Sequence, residues 1–147
     1  MREKIILLVE DNPDDEALAL RALKRSETGG KVVVAHDGVE ALDYLFATGK
    51  HADRDAGLKP GLVLLDLKLP KLDGLEVLRR MRSDERTKLL PVVILSSSRE
   101  QRDLIESYSL GANSYVRKDV DFVRFSQTIQ QLKSYWLSLN EPPPEDA

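Results

Sequence analysis

The feature that most restricts what this chain can fold into is a recurring pair: a short apolar run, then at once a polar residue with chemistry to offer. Ile5 to Val9 runs into Glu10-Asp11, Leu62 to Leu65 into Asp66, and Val92 to Leu95 into Ser96. Each run is too short for a helix and apolar at consecutive positions, the pattern of a strand buried on both faces. Val32 to Ala35 makes another short strand, and Ser114 to Val116 makes a fifth that leads to Lys118.

Between these runs the apolar residues recur at helical spacing. A first helix, capped by Asp14 or Asp15, runs through Lys24 with Leu18, Ala22 and Leu23 inward, and Thr28-Gly29-Gly30 stops it. Gly38 to Ala47 reads as a second helix with Val39, Leu42 and Phe46 on one stripe, followed by a polar surface loop over 48–60. Gly74 opens a third helix carrying Leu75, Leu78 and Met81, and a fourth spans about Glu100 to Leu110 before Gly111. The fifth runs from about Asp121 to Leu139, with Phe122, Phe125, Ile129, Leu132 and Trp136 three and four residues apart. Pro142-Pro143-Pro144 ends regular structure, so residues 1–140 form one domain and 141–147 a proline-rich tail without order of its own.

Strands alternating with helices imply right-handed βαβ crossovers and a parallel sheet covered on both faces. The expected fold is α/β: a flavodoxin-like, doubly wound, five-stranded parallel sheet of order 2-1-3-4-5 with five helices. In that order functional groups gather at the carboxyl ends of the strands, where strands one and three are neighbours. Those ends carry Glu10, Asp11, Asp66, Ser96 and Lys118.

Composition removes several function classes. At 147 residues the chain suits one domain, and a net charge of -3 with interspersed basic residues gives no footprint for direct nucleic-acid binding. Without cysteine there is no disulfide, thiolate chemistry or Cys-based zinc site. Ile5 to Val9 is far shorter than the about 20 apolar residues of a membrane span, so we expect no membrane association and a cytoplasmic location.

Three carboxylates brought to one crevice repel each other and need a cation. An all-oxygen cluster without His or Cys suits Mg2+, with Asp11 and Asp66 as direct ligands. A strand-end carboxylate can attack phosphorus and form an acyl phosphate when the moving charge is neutralised. Asp66 stands where that would occur, with the Lys118 ammonium and the Ser96 hydroxyl to meet phosphoryl oxygens. Taken singly, each of these acids is an ordinary helix cap or turn residue, and Lys118 an ordinary surface lysine; only their joint placement at strand ends favours a site. His36 and His51 read as lone loop residues with no metal or phosphoryl role.

The segments ILLVEDNPDD, LVLLDLKLPKLDGLEVLRRMR, PVVILSSS and GANSYVRK resemble, in order and spacing, the signature segments of response-regulator receiver domains. The resemblance covers nearly the whole chain. It implies that Glu10 and Asp11 are the acidic pair, Asp66 the phosphoacceptor, Ser96 the switch hydroxyl, Tyr115 the switch aromatic and Lys118 the family's lysine, with the backbone carbonyl of Lys68 completing the metal shell. It further implies a phosphoacceptor signalling protein of a two-component phosphorelay rather than an enzyme, catalysing only its own phosphorylation and dephosphorylation. The extended 48–60 segment, the LPKLDG turn and the SYW sequence are similar to single-domain response regulators of bacterial and cyanobacterial phytochromes. That narrower likeness implies a phytochrome histidine kinase as donor. It also implies a homodimer through the fourth helix, fifth strand and fifth helix, where Tyr135 and Trp136 lie and where Tyr108, Arg124 and Tyr135 are candidate partner contacts.

Two departures stand out. Asp119 replaces the proline, often cis, that follows the family's lysine, and a non-proline cis bond costs about 3 kcal/mol, so the loop after Lys118 should take another path. Ser97 replaces a smaller residue, while Lys68 and Ser98 occupy positions that tune acyl-phosphate lifetime in relatives.

Three rival functions share the topology. An aspartyl-phosphate hydrolase of the haloacid type needs a second carboxylate two residues after the nucleophile, where this chain has Lys68. A flavin-binding electron carrier needs phosphate donors after the first strand, where Glu10-Asp11 places negative charge. A purely structural interaction module differs from a receiver only in chemistry.

Overall fold

β1 (Ile5–Val9), β3 (Leu62–Leu65) and β4 (Val92–Ser96) are buried along almost their whole length because successive side chains point to opposite faces and both faces are covered. The structure, a computed structural model, describes residues 4–25, 29–118 and 120–144. The other strands are β2 (Lys31–Ala35) and β5 (Ser114–Arg117), and the five form one parallel sheet of order β2-β1-β3-β4-β5. The expected doubly wound architecture is therefore present.

The alternation sorts the core into two layers. Leu7, Val9, Val63, Leu65, Val92 and Ile94 face α2 (Gly38–Phe46) and α3 (Gly74–Arg82), where Ala41, Leu45, Val77, Leu78 and Met81 meet them. Ile6, Leu8, Leu62, Leu64, Val93 and Leu95 face α1 (Pro13–Arg25) and α5 (Phe122–Ser134), against Ala19, Ala22, Leu23, Phe125 and Ile129. The remaining helix, α4 (Gln101–Ser109), flanks β5.

Register places the site. Val9 pairs with Leu65, and Asp66 N–H donates to Val9 O at 3.1 Å, so the residues following β1 and β3 emerge side by side. Ser96 pairs with Arg117, and Lys118 N–H donates to Ser96 O at 3.0 Å, which brings Lys118 to the same edge.

Several helical expectations are corrected. The α1 cap is Asn12, whose Oδ1 accepts from the N–H groups of Asp14 and Asp15 at 2.9 and 3.1 Å; neither aspartate plays that part. In α2 the inward stripe is rotated from the one expected: Ala41, Leu42, Tyr44 and Leu45 are buried, whereas Val39 is exposed. Phe122, the first residue of α5, is also exposed; Phe125 and Ile129 carry the packing. The fifth helix ends at Ser134 and continues as a π-helical turn, Tyr135–Leu139, whose Leu137 carbonyl accepts from the Lys4 ammonium. The expected loop over 48–60 contains a short 3₁₀ turn, Gly49–His51.

The two histidines have structural partners. Buried Glu40 accepts from Lys50 Nζ at 2.7 Å and from His36 N–H at 2.8 Å, with His51 Nε2 at 3.5 Å, and His36 Nε2 reaches Glu16 of α1 at 2.8 Å. Burial acts to raise the Glu40 carboxyl pKa, but the bonds from Lys50 and His36 outweigh it and hold the group below the ordinary value. Glu40 thus pins the 3₁₀ turn to the start of α2. Arg82 performs a comparable task at the end of α3: its guanidinium donates to the carbonyls of Gly111, Lys88 and Leu90 and to Asn113 Oδ1, tying the approaches to β4 and β5 together.

Candidate functional site

Glu10, Asp11 and Asp66 each offer a carboxylate oxygen within 4.8 Å of the others. Glu10 and Asp66 are buried at the ends of β1 and β3, and Asp11 is exposed at the mouth. Such an arrangement is costly without a counter-charge.

Part of that charge comes from Lys118. Its ammonium lies 2.7 Å from Glu10 Oε1, 3.2 Å from Asp66 Oδ2 and 2.9 Å from Asp15 Oδ2. Burial pushes the Glu10 carboxyl up to about 7 against the Lys118 hydrogen bond, and the Asp66 charge adds to the rise. Burial acts to lower the Lys118 pKa, yet its bonds to Asp15 and Glu10 and the charge of Asp66 carry it well above the ordinary lysine value. Lys118 is therefore a fixed cation. That one ammonium contacts three carboxylates and Asp11 brings a fourth to the cluster, whose all-oxygen donors suit a hard divalent ion.

Asp15 was not among the residues expected here. With Asn12 as the α1 cap, its side chain is left to turn inward, and the first turn of α1 brings it to Lys118. Acids in a helix's first turn are common for reasons of the helix dipole alone, so the sequence offered no distinguishing signal.

The loop after β3 is held by close approach. A Cβ on Gly74 would lie 2.2 Å from Asp66 O and 2.8 Å from Leu67 Cα, and one on Gly38 would lie 2.0 Å from Leu72 O. Only glycine lets α2 and α3 bracket residues 66–72 this tightly. Lys68 N–H points to Asp66 Oδ1 at 3.5 Å, while the Lys68 ammonium lies 3.7 Å from Asp103 Oδ2 in α4.

The other expected residues meet at Ser98. Fully buried Ser96 accepts from Ser98 N–H through its Oγ at 3.1 Å, and half-buried Tyr115 donates its hydroxyl to Ser98 O at 3.2 Å. The Ser98 hydroxyl in turn donates to Asp103 Oδ2 at 2.5 Å. The expected side chains thus lie at the site or on the loop beside it, and Lys68, expected there through its backbone carbonyl, turns its side chain toward α4. Asp119, and with it the expected new path after Lys118, lies outside the described residues.

A doubly wound sheet with an acidic cluster and a lysine at this edge fits a receiver, and the response regulator receiver domain family matches residues 6–130. The chain belongs to that family. The probable methanogenesis regulatory protein FilR2 of Methanothrix harundinacea is 42% identical over 139 residues, covering 95% of this chain and 87% of that protein. Three solved structures define the nearer surroundings. The phosphorylated cyanobacterial phytochrome response regulator RcpA superposes with a TM-score of 0.90 at 40% identity, over 97% of this chain and the whole of that one. The Mn2+-bound form of response regulator Rcp1 gives 0.88 at 35% identity, over 96% and 99%. The bacteriophytochrome response regulator AtBRR gives 0.76 at 51% identity, over 96% and 100%. This chain is accordingly a receiver-domain response regulator homologous to those of phytochrome systems. Among the described residues, no helix is long and apolar enough to cross a membrane.

Proposed function

We propose that Asp66 accepts a phosphoryl group from a sensor histidine kinase of phytochrome type and that the receiver signals by the resulting change of shape. The observation that carries this reading is the position of the Asp66 carboxylate, with Lys118 on Oδ2 and the Glu10 and Asp11 oxygens beside it. In the transfer, the phosphorus–nitrogen bond to the kinase imidazole breaks with its electron pair returning to nitrogen, and a phosphorus–oxygen bond to Asp66 forms.

Glu10, Asp11, Asp66 and the Lys68 backbone carbonyl are the groups we assign to hold Mg2+, which when bound supplies charge neutralisation for the phosphoryl oxygens. Lys118 pairs with a phosphoryl oxygen, and the Ser96 hydroxyl donates to another. When Ser96 turns to the phosphoryl group it gives up Ser98 N–H, and Tyr115 turns inward from Ser98 O. The changed surface comprises α4, β5 and α5, where exposed Tyr108 and Tyr135, together with Arg124, meet a partner or a second copy of the chain, while the half-buried Trp136 beside Tyr135 packs against the core. Residues 1–140 act as the receiver and 141–147 as a tail, in the cytoplasm and without direct nucleic-acid contact.

Phosphotransfer profiling tests the donor. Purified autophosphorylated phytochrome kinases should pass label to this protein within the first time points, well ahead of unrelated sensor kinases. Uniform or absent transfer from the phytochrome kinases, with fast transfer from another kinase, would reassign the partner.

A further inference from the structure

The geometry points to Asp103 as a positioning residue: paired with Lys68, it withholds that ammonium from the phosphoryl group and so sets how long the acyl phosphate survives. This rests on the assignment of Asp66 as acceptor, and it concerns a carboxylate with no part in the metal cluster or the Lys118 pairing.

Asp103 lies in the first turn of α4 and is 4% exposed. A carboxylate so enclosed needs partners for its oxygens, and its side-chain partners Ser98 and Lys68 come from other segments. Ser98, on the loop after β4, donates to Oδ2 at 2.5 Å, and Lys68, on the loop after β3, places its ammonium 3.7 Å from the same oxygen. The helix N-terminus adds a favourable field.

The two partners differ in kind. The Ser98 bond is short and direct, whereas the Lys68 contact is a charge attraction from an arm that is 69% exposed. Such a pair is weak and reversible, held mainly by the Asp103 charge. Lys68 stands two residues after Asp66, so its ammonium is within a side-chain rotation of the site's open side. The Asp103 carboxylate draws the arm to α4; a neutral side chain in its place would free the arm to turn to the phosphoryl group.

That choice bears on hydrolysis. A water oxygen attacks phosphorus opposite the Asp66 oxygen, the bond from phosphorus to that oxygen breaks, its electron pair returns to the carboxylate, and dihydrogen phosphate leaves. The attack must come from the open side, because donors reach phosphorus from there. An ammonium resting on the phosphoryl oxygens occupies that approach, whereas one held by Asp103 leaves it clear.

The test is a four-protein cycle: the unaltered protein, Asp103→Asn, Lys68→Met and the double variant. Each is loaded with acetyl phosphate and Mg2+, desalted, and followed by intact mass. Asparagine still accepts from Ser98, so α4 keeps its neutral bond while losing its hold on Lys68. Asp103→Asn should lengthen the half-life about threefold, the scale of a partly exposed ion pair. In the Lys68→Met background the same change should leave the half-life as it was. Asp103→Thr, a smaller neutral replacement, should reproduce the lengthening and keeps the test open should Asp103→Asn fold poorly. Equal lengthening with and without Lys68 would mean that Asp103 acts through Ser98 and α4 alone, and an unaltered half-life in both neutral variants would equally overturn the role. If no protein takes up a phosphoryl group at all, the assignment of Asp66 fails at the loading step, before any half-life is scored, and this role falls with it.

Discussion

Asp66→Asn should abolish phosphorylation while leaving the fold intact. The amide has the shape of the carboxylate but lacks the nucleophilic oxygen that forms an acyl phosphate. Lys118 keeps Glu10 and Asp15 as partners, at 2.7 and 2.9 Å, so the site does not collapse when the third contact weakens. Removing one of the clustered acids also relieves repulsion, and the melting temperature should hold or rise. Intact mass after incubation with acetyl phosphate and Mg2+ should show one added phosphoryl group on the unaltered protein and none on the variant. An equal gain on both would move the acceptor elsewhere, with exposed Asp11 the first residue to examine.

Gly74→Ala should damage stability and site together. The added methyl would need to stand 2.2 Å from Asp66 O and 2.8 Å from Leu67 Cα, distances that only movement of the backbone can relieve. Forcing an extra carbon into packed structure typically costs about 1–3 kcal/mol, and here the neighbours are rigid backbone atoms rather than yielding side chains, so the upper part of that range applies. What moves is the segment carrying Asp66, and phosphorylation should slow by more than the lost stability explains. Denaturant unfolding and a phosphorylation time course measure the two effects. A variant within about 0.5 kcal/mol of the parent and phosphorylated at its rate would show that residues 66–72 are not held as described.

The strand ends were legible because burial on both faces makes a strand an unbroken apolar run, so that the first polar residue after it marks the edge of the sheet. Parallel register then brings Glu10, Asp66, Ser96 and Lys118 together whatever the details of the helices. Helix faces were less legible. Phe122 fits the inward spacing of α5 but is its first residue and exposed, and Val39, the second residue of α2, is exposed as well. Nothing in YWLSL distinguishes a π-helical turn from an α-helical one.

Asp15, Asp103 and Glu40 were illegible for a shared reason. Each is an acid in a helix's first turn or close to it, a position favoured by the dipole without any site nearby. For Asp15 and Asp103 the significance comes from a cation on a distant segment, Lys118 being 103 positions from Asp15 and Lys68 and Asp103 belonging to different crossovers, and for Glu40 from Lys50 on the turn after α2. The same holds for His36, which reads as a lone loop residue and in the fold links Glu16 of α1 to Glu40 of α2. Long-range pairing of this kind leaves no periodic trace in a single sequence.

Glu10, Asp11 and Asp66 each bring a carboxylate oxygen within 4.8 Å of the others, and the proposed function places a divalent ion between them. Anomalous diffraction from a crystal soaked in Mn2+ examines this directly. The predicted result is a single strong peak bounded by the carboxylates of Glu10, Asp11 and Asp66 and absent from the Lys118 side. A saturated crystal with no peak between those three residues, or with its principal peak elsewhere on the molecule, would contradict it.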